Sequence, residues 1–579
     1  MLKQQSPTIT IIDELYLMLW KTLPLRLQRP GRLRALVGRS ALASLFSLAI
    51  LLAPSQASAQ GAVNEKTQTL TLALTSEPPS ASTLLGTDQV SFWLIDHITE
   101  GLMGYDKNNA LTGAIAKRWE LRDDGATFWL RKDAKWSDGS PVTAHDFVFA
   151  WREVLKPATA SEYAFILYPI KNAEAVNKGE LSSDQLGVRA VGDYRLEVTF
   201  TQPCAYFLDL TAFISYRPVK EEFFKQYGRA YASDPDKMLY NGPFVLTKWV
   251  HGASLNMKKN EHYWNKEVVK LQEIDVPYIT SDTSALYNLF KDGEIAMKVV
   301  PGIGPDTIKK ALADHLPMRK FNDGSNFYME FNHRPDRLTS NRNLRKAIQL
   351  VFDQQLFTNK VVASPGNKPS YSLFPDWVRG AEQPLYKEYP PKFPANDEKL
   401  AREYLEKAKQ ELGLEQIPPL ILLSTDSPGA NKQSEYVQSL LKRTLGLDIK
   451  IDKQIFKQRL AKMGTGEFDL VGSGWGPDFN DAMTFAELFA SWNKNNRGRY
   501  SNPEYDRLVR LAQSTTDPKT RAHAFGELQQ LLIDDAAIIN QYQRGYVYLQ
   551  NTHLRGVVRR IFGGDPVFKY AYIEEEQEK

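Results

Sequence analysis

From Ile417 to Ile451 the chain reads strand, amphipathic helix, strand, and no other stretch constrains the fold as tightly. Ile417 to Leu423 is the first strand, Asn431 to Leu445 the helix, closed by Gly446, and Leu447 to Ile451 the next strand. Strands joined through a helix run parallel, so the fold contains a parallel sheet with helices packed on it. A further strand, Phe468 to Val471, ends in the glycine-rich loop Gly472-Ser473-Gly474-Trp475-Gly476-Pro477-Asp478. In open α/β sheets small molecules sit beyond the carboxyl ends of strands, where loops converge on a crevice, and Asp478 occupies such a position. Thr69 to Leu74 alternates as another strand and runs into Thr75-Ser76-Glu77-Pro78-Pro79. The two prolines end its ladder and leave Glu77 at a second such position, distant in the chain.

Between Trp119 and Arg131, period-two apolar residues flank Asp124-Gly125, a hairpin pattern, and a second turn follows at Asp138-Gly139. Thr143 and Asp146 then form a capping box, and Phe147, Val148, Trp151, Val154 and Leu155 carry helical spacing, so a helix starts near Ala144.

The one long apolar run, Ala41 to Ala53, follows Arg29, Arg32, Arg34 and Arg39 and precedes Ala57-Ser58-Ala59. It is shorter than the roughly 20 residues that span a bilayer, and the order of charge, apolar core and small-x-small site is that of a secretory signal. Residues 1–59 are therefore expected to be a signal peptide with an extended N-terminal region, and Gln60 the first mature residue. Removing its seven Lys and Arg and two Asp and Glu from totals of 72 and 68 leaves a net charge of −1. That balance gives no reason to expect nucleic acid or an anionic membrane as partner. Cys204 is the only cysteine, which excludes an internal disulfide and a cysteine-based zinc cluster. No cysteine stands at the cleavage site, so the mature protein is expected without a lipid anchor, soluble in a periplasm. In Pro203-Cys204-Ala205-Tyr206-Phe207-Leu208 the thiol is expected to be buried and inert.

No G-x-S-x-G elbow, G-x-x-x-x-G-K-[ST] phosphate loop, H-E-x-x-H or strand-borne G-x-G-x-x-G occurs, and the eight histidines are scattered. The reading is of a chain that is not an enzyme and holds no metal or cofactor. Trp475, Phe479, Trp492, Tyr500 and Tyr542 are candidates for lining a pocket, each also an ordinary core aromatic.

Thr99-Glu100-Gly101-Leu102-Met103 and the run from Ala114 to Trp151 resemble the peptide-binding family of periplasmic ABC-importer proteins, most closely the oligopeptide-binding members. So do Tyr240 to Phe244, Leu286 to Met297, Asn326 to His333, Asn343 to Asp353, Gly474 to Asp481 and Arg499 to Val509. The likeness runs in order through residues 65–570. It implies a periplasmic binding protein-like, two-lobed closing α/β fold with an extra inserted domain. Lobe I is then 60–89, 223–325 and 546–579, lobe II 90–222, and lobe III 326–545. The implied function is capture of peptides and their delivery to ABC-transporter permease subunits by a monomeric receptor.

By the same resemblance Asp478 meets the peptide α-amino group beside Trp475. An ammonium leaving water needs an ionised partner, and such a bond contributes about 1.5 to 3 kcal/mol. Glu77 matches a ligand-proximal glutamate and Tyr163 a cleft tyrosine, with an exposed loop acid and a lobe-packing ring as their plain alternatives. Phe456 stands where relatives often have a pocket tryptophan, and Glu330 and Tyr542 are further candidates. Relatives that grip a peptide carboxylate can carry an arginine at the position of Gly472, so the clamp must come from elsewhere, and Arg544 is the substitute considered. A disulfide known in some relatives is absent, its loop cysteine being Gly476. Another amine-bearing solute, such as a cell-wall peptide, an opine or an amino-acid conjugate, satisfies Asp478 equally, and a periplasmic enzyme is the remaining alternative.

Overall fold

The strand–helix–strand unit forms as Leu420–Thr425, Pro428–Leu445 and Ile449–Gln454, with the two strands in parallel register. Local chemistry sets the ends of its helix. Ser427 accepts a hydrogen bond from the Ala430 amide, Pro428 occupies the first turn, and Gly446 closes it in the left-handed region at φ 68°. The computed structural model describes residues 61–299 and 305–574. The expected export signal and the tail residues Glu575 and Glu576 lie outside the described residues.

The third strand, Leu470–Trp475, pairs parallel to Leu420–Thr425 on one edge and antiparallel to Met318–Phe331 on the other. It extends four residues further than its apolar pattern suggested and takes in Gly472-Ser473-Gly474-Trp475, read from sequence as loop. Cross-strand packing overrides the poor strand propensity of glycine here. A Cβ on Gly474 would lie 2.7 Å from the Phe327 ring, so a hydrogen at that position lets Phe327 lie across the strand. Met318–Phe331 in turn pairs with Ile538–Gln550, which adds Met297–Val299 and Lys368–Pro369 to complete a mixed, seven-stranded sheet.

A five-stranded sheet joins Val63–Asn64, Thr69–Leu74, Glu273–Ile279, Ser254–Lys259 and Phe244–Val250 in that order. A four-stranded antiparallel sheet joins Ala116–Arg122, Gly125–Leu130, Arg195–Thr199 and Val188–Ala190. The hairpin there turns at Asp123-Asp124, since Arg122 pairs with Gly125, one residue earlier than the Asp-Gly pattern places it. Helix Ala144–Leu155 bears the expected capping box, with the Thr143 amide 2.8 Å from Asp146 Oδ2, and inserts Phe147 and Trp151 fully into the core. Burying each such ring contributes about 1.5 to 3 kcal/mol.

The architecture is α/β with several sheets, as expected. The expected boundary at 325/326 falls inside strand Met318–Phe331, and that at 545/546 inside Ile538–Gln550. Cys204 is buried, and burial pushes its thiol pKa upward.

Candidate functional site

Leu420–Thr425 and Leu470–Trp475 stay paired only through Leu422 with Leu470 and Leu423 with Val471. Beyond that point the parallel strands part at their carboxyl ends. Gly472 to Trp475 keep a strand partner, Asn326 to Met329, on one edge alone. The gap opens into a cavity of about 760 Å³, walled by Ser424 and Thr425 on one side and Ser473, Gly474 and Trp475 on the other. Thr75 and Ser76 close it from the five-stranded sheet, with Asp88 and Gln89 at the start of helix Gln89–Ile98. An added Cβ on Gly472 would meet nothing within 4 Å, so this part of the wall is open.

Asp478 lines the cavity and is only 5% exposed. The Tyr163 hydroxyl lies 3.0 Å from each of its carboxylate oxygens, and its own amide donates to Thr484 Oγ1 at 2.9 Å. Burial drives its pKa well above the ordinary carboxylate range, and no cation pairs with it among the described residues. Trp475 stacks on Tyr163 at 6.2 Å and sends its indole N–H toward Thr484. Residues of the inserted segment thus meet the far wall directly. Two ion pairs flank the contact, Glu162 with Arg497 at 3.1 Å and Glu174 with Arg510 at 3.2 Å.

The other sequence candidates divide by location. Phe456, Glu330, Tyr542 and Arg544 line the cavity with Asp478 and Trp475. Phe456 opens helix Phe456–Thr465 and is partly exposed. Tyr542 stacks face to face on Phe327 at 4.8 Å. Glu330 is 3% exposed and accepts the Gly498 amide at 2.5 Å. Its pKa is raised to about 7, principally by burial, against a smaller pull from that amide, Arg497 and Arg459. Arg544 is committed to Asp323, its Nε 2.5 Å from the carboxylate, and lies over the Phe327 ring. Glu77 turns away from the cavity to His251, 2.6 Å from its ring Nδ1, while its neighbours Thr75 and Ser76 face in. Tyr163 stands behind Asp478 and does not itself line the cavity. Phe479 stacks on Tyr206, Tyr500 bonds Asp535, and Arg510 covers Trp492, so these three aromatics serve packing.

Sequence reasoning missed Arg459 and Arg497, two buried arginines of the cavity wall. Arg459 lies among Lys457 and Lys462 on an amphipathic helix, where a charged residue reads as a solvated face. Nothing in the local pattern separates it from its exposed neighbours.

Residues 110–497 match the family model described as bacterial extracellular solute-binding proteins, family 5 Middle. The oligopeptide-binding protein OppA of Bacillus subtilis is 33% identical over 521 residues, which is 87% of this chain and 93% of that protein. Listeria monocytogenes OppA bound to peptide superposes with a TM-score of 0.82 at 33% identity, over 88% of this chain and 99% of that one. The Escherichia coli murein tripeptide binding protein MppA, 28% identical over 88% of this chain and 99% of that one, superposes at a TM-score of 0.79. Its unliganded open form, 27% identical over 89% of this chain and 98% of that one, reaches only 0.58.

Proposed function

The chain belongs to the bacterial extracellular solute-binding proteins of family 5, and from that premise we propose that it captures peptides and passes them to an ABC importer. One observation carries this reading. The unpaired edge of Gly472 to Trp475 faces a cavity whose end holds a buried acid without a cation, Asp478. An extended peptide satisfies both at once, its backbone adding to the free strand edge and its ammonium compensating the acid. Side chains then project into a polar space where water adapts to different residues, which makes binding tolerant of sequence.

Closure couples occupancy to delivery. Tyr163, Glu162 and Glu174 belong to the segment proposed as lobe II, and Asp478, Arg497 and Arg510 to that proposed as lobe III. Ligand contacts that need both lobes exist only when these contacts form, so binding favours the shape an importer reads. The better match to one MppA structure than to its open form supports the reading of this conformation as closed. We read the protein as a periplasmic, monomeric receptor rather than an enzyme, exported by cleavage after Ala59 and carrying no lipid.

Native mass spectrometry of protein purified from cells tests the reading. A mixture of masses of two-to-five-residue peptides, released on denaturation, is expected. A single non-peptide mass contradicts it, and so does turnover of an added peptide.

A further inference from the structure

We infer that Arg459 and Arg497 form a cationic subsite that takes a carboxylate of the bound peptide; this rests on the peptide reading above. Arg459 is 8% exposed and lines the cavity, and its guanidinium donates to the carbonyl of Gly472. That partner is neutral, and no carboxylate forms an ion pair with Arg459 among the described residues. Arg497 is 7% exposed and gives one amino group to Glu162 at 3.1 Å, while its Nε has no hydrogen-bond partner. A buried cation lacking its counter-charge is costly, because desolvation is not repaid by attraction. Two such groups on one cavity wall call for an anion from outside the chain.

The one acid near both does not supply it. Glu330 sets its Oε1 against the Gly498 amide and makes no ion pair with either arginine. Burial holds it largely protonated up to neutrality, so the wall keeps a surplus of positive charge. Arg544, the other cavity-lining arginine, is neutralised by Asp323. Space for the anion exists beside Gly472, where no side chain projects and no atom lies within contact of a Cβ position.

The arrangement is polar end to end. Asp478 lacks a cation at one end of the free strand edge, and Arg459 lacks an anion at the other. The strand from Gly472 to Trp475 is about 10 Å long, close to the reach of an extended peptide of about three residues. The carboxylate is either the terminal one of a short peptide or that of an acidic side chain, and both present the same planar pair of acceptors to a guanidinium.

Titration calorimetry with three synthetic ligands tests the subsite: Ala-Ala-Ala, its C-terminal amide, and Ala-Glu-Ala amide. The native protein is expected to bind at least one carboxylate-bearing ligand about tenfold or more tighter than Ala-Ala-Ala amide, and which one it is identifies the source. Arg459→Met should reduce that advantage below about threefold while leaving the amide's affinity within about twofold, and Arg459→Lys should keep most of it. If Arg459→Met does not fold, the same comparison with Arg497→Gln decides. Equal binding of all three ligands by the native protein overturns the subsite, as does an equal loss for all three in Arg459→Met. If none of the three binds the native protein, the peptide reading itself fails and the subsite with it.

Discussion

The hydroxyl of Tyr163 lies 3.0 Å from both carboxylate oxygens of Asp478, a residue 315 positions away in the chain. The contact joins the inserted segment to the seven-stranded sheet at the mouth of the cavity. It also gives a buried acid its only side-chain donor apart from Thr484.

Removing that donor tests its contribution. In Tyr163→Phe the carboxylate loses one hydrogen bond and is harder to ionise, so a peptide with a free amino terminus should bind about 1 kcal/mol more weakly, roughly three- to tenfold. Calorimetry at neutral pH measures it. Unchanged or tighter binding would show that Tyr163 competes with the ligand rather than supporting Asp478.

Glu330 makes stability depend on pH. Its folded-state pKa of about 7 lies above its ordinary 4.5, so the folded protein holds a proton that the unfolded chain releases. Its contribution is therefore fully present below pH 4.5 and is lost as pH rises through 7, by about 3 kcal/mol in all. Glu330→Gln keeps an acceptor for Gly498 but cannot ionise. The variant should match the native protein in urea unfolding at pH 4.5 and exceed it at pH 8. Equal differences at both pH values would contradict the assignment.

Much of this was legible in the sequence wherever the signal was local. The capping box at Thr143, the Gly446 helix stop and the loop from Trp475 to Asp478 each depend on residues a few positions apart. Long-range pairing was not legible. The Gly472 to Trp475 strand is held by Asn326 to Met329, and no propensity within a glycine-rich segment announces such a partner. The same holds for Arg459 and Arg497, which become buried only when a helix and a distant loop meet at one cavity. Glu77 shows the converse. Its place at the end of a strand was readable, but the direction of its side chain is set by His251.

Closure has a hydrodynamic consequence. Because the Tyr163–Asp478 contact and the ion pairs of Glu162 and Glu174 join segments on opposite sides of the cavity, saturating peptide should reduce the radius of gyration in solution scattering and alter Trp475 fluorescence. Superimposable scattering curves with and without peptide would contradict a closing receptor.

The account stands most directly on Asp478, whose proposed partner is a single group of the ligand. Asp478→Asn preserves size and the acceptor for Tyr163 but removes the charge that compensates a desolvated ammonium. Calorimetry of the native protein and the variant, each with one peptide in its free and N-acetylated forms, isolates that contact from general damage to the loop. The free peptide should lose about 1.5 to 3 kcal/mol on mutation, roughly ten- to 150-fold, and the acetylated peptide, weak from the start, should lose little more. Equal losses for the two peptides would make Asp478 a structural loop residue and contradict its role as the anchor.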